Sequence, residues 1–156
     1  LSKSSPTNLK LSGSIKSSKL TAGPGQLMAP VPVGIQPITV TLKKARVSAT
    51  LASTGMSSGV MNGAIPMTDI NSKLLPAMAK LLDQSYKSAS GTLKMILQTT
   101  FDLNNDGTIS GSEVKNSMIM KTFMKPDVDT DGDGTKDAMS VGIGFTAVNC
   151  KIKTGS

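Results

Sequence analysis

Residues 38–51 read Ile-Thr-Val-Thr-Leu-Lys-Lys-Ala-Arg-Val-Ser-Ala-Thr-Leu. Ile38, Val40 and Leu42 alternate with Thr39, Thr41 and Lys43, the two-residue period of a strand with one apolar face. The phase slips by one residue at Lys43-Lys44, after which Ala45, Val47, Ala49 and Leu51 carry the alternation on. One extra residue inside a long alternating run predicts a β-bulge. The same period recurs at both ends of the chain. Asn8–Lys16 places Leu9, Leu11 and Ile15 on one face, which predicts a half-buried strand. Met139, Val141, Ile143, Phe145 and Ala147 alternate with Ser140, Gly142, Gly144 and Thr146, the clearest strand pattern of all.

Between these runs the composition changes. Residues 21–37 contain Pro24, Pro30, Pro32 and Pro37 with several Gly, which predicts a loop or an extended crossing. Residues 53–59 read as a turn, and Val60–Met67 as a short strand. From Thr68 or Asp69, either of which suits a helix cap, Ile70, Leu74, Leu75, Met78, Leu81 and Leu82 follow helical spacing. Pro76 falls inside that run and should kink or divide the helix. Further helices are expected at about 92–101 and 112–124. No repeat with a period of 20–50 residues stands out. The fold class is therefore α+β: an antiparallel sheet or sandwich with inserted helices. Its parts are a strand-rich 1–67 with a Ser/Lys-rich start, a helical insertion 68–138 and a returning strand 139–156, which brings the two ends of the chain together in one domain.

Composition excludes several functions. The chain has 156 residues, no His and one Cys, Cys150. His-based acid–base and nucleophile chemistry is absent, and so are Cys-rich metal clusters and internal disulfides. Only Tyr86, Phe101, Phe123 and Phe145 are aromatic, so Leu, Ile, Val, Ala and ten Met must fill the core. No uninterrupted apolar run reaches the ~18 residues of a membrane-spanning helix. No nucleophile–base pair stands out, so a non-enzymatic role is expected. Cys150 is read as a small packing residue, with an intermolecular disulfide as the alternative.

The net charge of +7 is uneven. Residues 1–100 hold eleven Lys/Arg against Asp69 and Asp83, a net +9; residues 101–140 hold eight acids against four Lys, a net −4. Nucleic acid is not expected as a partner of the basic part, because a single Arg and a single aromatic supply neither base readers nor stacking platforms. A solvated lysine surface resting on an anionic envelope or polysaccharide fits better. The chain opens on Leu1, and its Ser/Lys-rich start suits a tether leaving a membrane anchor or cleavage site.

The acids fall into two stretches. Residues 102–113 read Asp-Leu-Asn-Asn-Asp-Gly-Thr-Ile-Ser-Gly-Ser-Glu. Side-chain oxygens at loop positions 1, 3 and 5 come from Asp102, Asn104 and Asp106. Gly107 permits the sharp turn at position 6, and Thr108 offers its carbonyl at position 7. Ile109 packs inward, Ser110 serves position 9, and Glu113 closes the shell as a bidentate carboxylate at position 12. The second stretch packs Asp127, Asp129, Asp131, Asp133 and Asp137 into eleven residues. A register starting at Asp127 uses Asp127, Asp129, Asp131 and Gly132. One starting at Asp129 uses Asp129, Asp131, Asp133 and Gly134, with the Thr135 carbonyl and Asp137, and is preferred because it recruits Asp137. Neither register has an acid at position 12.

The first stretch resembles the EF-hand family over roughly residues 92–124, with Phe101 ending the incoming helix and Val114, Met118 and Phe123 on the outgoing one. The second is similar to the acidic calcium repeats of thrombospondin type 3 and related extracellular modules. As a whole, the order of elements loosely resembles surface or lipid-anchored proteins of Gram-negative bacteria. These resemblances imply one or two Ca2+ ions in a structural role, in a secreted or cell-surface protein. The alternative is a self-assembling extracellular subunit, such as a filament, coat or adhesion component, stabilised by calcium.

Overall fold

The computed structural model describes residues 10–149. The Ser/Lys-rich start up to Leu9 and the expectation for Cys150 lie outside the described residues. The remainder is an α+β fold. One five-stranded antiparallel sheet in the order β1-β2-β3-β4-β5 carries helices against one face, so the arrangement is a single sheet and not a sandwich. The strands are β1 (Gly13–Lys16), β2 (Lys19–Val33), β3 (Gln36–Ala52), β4 (Gly55–Pro66) and β5 (Ala138–Val148). Between β4 and β5 come α1 (Met67–Asp69), a π-helical turn (Ile70–Leu74), α2 (Leu75–Ser88), α3 (Gly91–Phe101), α4 (Gly111–Asn116) and α5 (Met118–Phe123). Among the described residues no helix is long and apolar enough to cross a membrane.

The bulge falls where the sequence places it. Lys43 pairs with Ala64 and Arg46 with Asn62, so β3 spends one residue more than β4, and Lys44 takes up the excess at φ +50°. Hairpin turns join the first four strands. Ser17 and Ser18 both adopt positive φ (47° and 61°), the backbone of a type I′ turn, whose twist matches that of the flanking strands.

Several expectations are corrected. The proline-rich 21–37 stretch is mostly strand. β1 pairs only with Lys19–Ala22, so over Pro30 and Pro32 the outer side of β2 has no partner strand among the described residues, and a missing N–H costs nothing there. The expected turn at 53–59 shrinks to two residues. β4 resumes at Gly55 and absorbs a second bulge, with Ser58 at φ +49°. β1 is exposed throughout, with Ile15 62% accessible, so it is not half-buried. β5 does return to the sheet, but on the outer side of β4, so β1 and β5 are opposite edges and not neighbours.

The helical region also departs from expectation. Pro76 does not break the helix. The preceding turn widens until the Leu75 N–H reaches the Ile70 carbonyl, five residues back, and Pro76, which has no N–H to offer, follows directly in the first turn of α2. Neither Thr68 nor Asp69 caps this helix. The Asp69 carboxylate instead accepts the Thr41 N–H at 2.7 Å and pairs with Lys73 at 2.9 Å, tying the helix start to β3. The single helix expected at 112–124 is two, divided by Ser117 at ψ 148°. Ser117 is fully buried; its hydroxyl donates to the Val114 carbonyl and accepts the Met120 N–H.

The core lies between the helices and one sheet face. Ala29, Val40, Leu42, Ala45 and Ile65 come from the strands, and Ile70, Leu74, Leu75, Ala79 and Tyr86 from the first helical stretch. Leu97, Ile109, Val114 and Met120 complete it. This is the two-layer solution for a sheet with one apolar face.

Candidate metal centre

The first acidic loop leaves α3 at Phe101 and enters α4 at Gly111. Asp102, only 2% accessible, anchors it. Its side chain accepts the N–H groups of Asp106 (3.0 Å) and Gly107 (3.1 Å) and the Tyr86 hydroxyl (3.2 Å), so both buried oxygens are hydrogen-bonded. The Asn104 side-chain oxygen accepts the Asp106 N–H at 3.0 Å, and Asp106 accepts the Thr108 N–H at 2.8 Å and its hydroxyl at 2.6 Å. Glu113 folds back over the loop. One oxygen takes the Ser110 N–H (2.9 Å) and hydroxyl (2.7 Å), and the other the Asn104 N–H (3.3 Å). Ser110 and Glu113 thereby form the capping box of α4. Ile109 is buried, as its apolar character requires, and its N–H is taken by Asp83 of α2 at 3.0 Å.

The second loop repeats this turn. Asp129 accepts the Gly134 N–H at 2.9 Å, Asp131 accepts the Asp133 N–H at 3.3 Å, and Asp133 accepts the Thr135 N–H at 2.7 Å. Counted from Asp129 these bonds run from residue 6 to 1, 5 to 3 and 7 to 5. Counted from Asp102, the bonds from Gly107, Asp106 and Thr108 run between the same positions. The backbone agrees: residue 4 has positive φ in both (Asn105 58°, Gly132 88°), and so has residue 6 (Gly107 82°, Gly134 87°). The two seven-residue turns, 102–108 and 129–135, are thus one local structure used twice, in the register that starts at Asp129.

The loops differ in how closely they gather charge. Asp129, Asp131 and Asp133 each place a carboxylate oxygen within 4.8 Å of the others, and among the described residues they are the group of three acids brought that close. Asp102, Asp106 and Glu113 are not. Two oxygens on one calcium ion, each about 2.4 Å from it, are at most about 4.8 Å apart, so the Asp129 group is close enough to share one such cation. The donors are all oxygen, as such a cation prefers. Asp127 and Asp137 face elsewhere. Asp127 holds the N–H and hydroxyl of Ser140, and Asp137 the N–H (2.7 Å) and hydroxyl (2.6 Å) of Thr130.

Hydrogen bonds also set how readily these carboxylates ionise. Asp106 lies below its ordinary range because of the Thr108 hydroxyl, Asn104 and the Thr108 N–H. Glu113 is lowered chiefly by the Ser110 N–H, Asp129 by the Gly132 and Gly134 N–H groups, and Asp137 by Thr130. All four are ionised at neutral pH, the state in which a carboxylate ligates a metal.

Sequence reasoning did not single out four residues that hold the loops. Lys43 donates to the Thr130 hydroxyl at 3.1 Å and lies 3.9 Å from Asp137, while Lys44 donates to the Asp129 carbonyl at 2.7 Å. Tyr86 holds Asp102, and Asp83 holds Ile109. The slip at Lys43-Lys44 and the isolation of Tyr86 as the one aromatic of residues 1–100 were the available signals.

No protein-family model, curated protein or solved structure matches the chain.

Proposed function

We propose that the chain is a non-enzymatic calcium-binding protein of the cell surface or extracellular space, in which one or two ions stabilise the fold. The observation that carries this reading is the convergence of Asp129, Asp131 and Asp133 within 4.8 Å. Three like charges so near repel one another, and a divalent cation offsets that cost. The Thr135 carbonyl is the further donor of this site, and Asp137 joins it by releasing the Thr130 N–H and hydroxyl that it holds. The first loop is read as an EF-hand-type site, entered by α3 and left by α4, with Asp102, Asn104, Asp106, Thr108, Ser110 and Glu113 as its donors. The shared turn supports placing both loops in one class.

The structural role follows from the surroundings. The second loop is joined to β3 by Lys43 and Lys44, and the Asp137 carbonyl accepts the Met67 N–H at 2.9 Å where the first helix begins. An ion there fastens β3, the helix start and β5 together. The first loop fastens α3 to α4. Titration calorimetry with CaCl2 on chelator-stripped protein tests the reading. Saturable heat is expected, with a higher melting temperature at saturation and loss of one site in Asp131→Asn. No heat and no thermal shift would reject it.

A further inference from the structure

Between the two acidic loops lies a segment of opposite character. Residues 114–126 carry Lys115, Lys121 and Lys125 and no acid, together with Met118, Ile119, Met120, Phe123 and Met124. α3 leaves Leu93, Met95 and Ile96 about half exposed, and α5 goes further: Met118 is 84% accessible and Phe123 76%, with Ile119 at 45%. On the side of α5 that carries Met120 and Lys121, a groove of about 230 Å³ has an apolar floor that includes Ile70, Leu75 and Met120 and a rim of Lys115, Lys121 and Lys125, with no acidic residue in its lining. The acids nearest in sequence are already engaged, Glu113 by Ser110 and Asn104, and Asp127 by Ser140.

We propose that α5 and this lysine-rimmed groove form a docking surface for an anionic lipid bilayer. Large apolar side chains standing beside lysines match the boundary between acyl chains and phosphate groups: the apolar groups enter the former and the ammonium groups meet the latter. Other occupants fit less of the surface. A small anionic amphiphile would fill the groove but leave Met118 and Phe123 in water. A second copy meeting this patch through a two-fold axis would bring its own three lysines against these three.

Vesicle co-sedimentation in the presence of chelator tests the proposal, because chelator removes calcium bridges between protein acids and lipid. Binding to phosphatidylglycerol vesicles is expected, and none to phosphatidylcholine. Each lysine at an anionic surface is worth about fivefold in affinity. The pair Lys121→Gln and Lys125→Gln should therefore weaken binding roughly 25-fold, while Lys16→Gln with Lys19→Gln, an equal charge change on the β1–β2 hairpin, should weaken it less than about threefold. Phe123→Trp should shift its emission to the blue on phosphatidylglycerol vesicles. Equal losses for the two lysine pairs, or an unshifted emission, would overturn the proposal. So would one-to-one saturation of the groove by monomeric decanoate without vesicle binding, or a vesicle-free dimer that Phe123→Ser dissolves.

Discussion

Glu113→Gln separates the structural work of the first loop from its proposed metal chemistry. Without metal, Glu113 uses one oxygen for the Ser110 N–H and hydroxyl and the other for the Asn104 N–H. Glutamine keeps one accepting oxygen, so part of the capping box survives while one side of the bonding and the charge assistance are lost. That change costs about 1 kcal/mol, which in a chain of this length lowers the melting temperature by roughly 2–4 °C. Calcium adds a second, larger effect. At a hundred times its Kd an ion contributes about 2.7 kcal/mol, a rise of roughly 5–11 °C for the parent. An amide cannot serve as a bidentate carboxylate. If its Kd rises about a hundredfold, the same calcium concentration contributes only about 0.4 kcal/mol at this loop. Calorimetric melting of both proteins, in chelator and in calcium, reads the two effects separately. Equal calcium-dependent rises in parent and variant would refute the assignment of Glu113 as the closing ligand. A chelator-state loss without any calcium-dependent rise in the parent would leave only the cap.

Two further outcomes follow from the fold itself. Ser117→Ala removes the hydroxyl that links the Val114 carbonyl to the Met120 N–H at a fully buried break between α4 and α5. It should cost about 1–2 kcal/mol in urea unfolding, and an unchanged midpoint would show that the break needs no cap. Acid should weaken the metal-free protein. Burial raises the Asp69 carboxyl, but the Thr41 N–H and Lys73 outweigh it and leave it below its ordinary 3.8. Glu113 lies below 4.5 through the Ser110 N–H. Groups lowered in the folded state stabilise it fully above their unfolded values, and that contribution is lost as pH falls through the folded ones. The melting temperature in chelator should therefore be level down to about pH 5 and fall below it, less steeply in Asp69→Asn; an equal slope in that variant would remove Asp69 from the account.

What the sequence made legible was whatever depends on side-chain period. The bulge at Lys44 was visible because one extra residue moves every following apolar side chain by one place, and only a bulge restores the face. The seven-residue turns were visible because Asp, Asn and Gly at fixed offsets have few other uses. β2 was hidden because proline marks a loop unless one knows which side of the strand is open, and that depends on how short β1 is. The division at Ser117 was hidden for a different reason. Apolar spacing continues across it, and a buried serine satisfying two backbone groups leaves no mark in the period. The ties from Lys43, Lys44, Tyr86 and Asp83 were hidden because they link residues 16 to 87 positions apart.

The bulge and the second acidic loop explain each other. In a regular strand Lys43 and Lys44 would point to opposite faces, and only one could approach the loop. The extra residue at Lys44 re-aims its side chain, so that both ammonium groups reach the same turn, one at the Thr130 hydroxyl and Asp137, the other at the Asp129 carbonyl. The two ammonium groups bind the Asp129 carbonyl, the Thr130 hydroxyl and Asp137, and so hold the turn without occupying the Asp129, Asp131 and Asp133 oxygens that converge. Asp137, by contrast, is held by Thr130 of its own loop and by Lys43 of β3, so it can join a metal only by giving up those partners. The first loop carries Glu113 within its own capping box, and among the described residues the lysine that acts on this loop is Lys87, near Asp106 and paired with Asp83. One turn is therefore closed by the helix it starts and the other by the sheet it rests on, which accounts for a basic strand facing the acidic cluster in a chain whose charge is so unevenly divided.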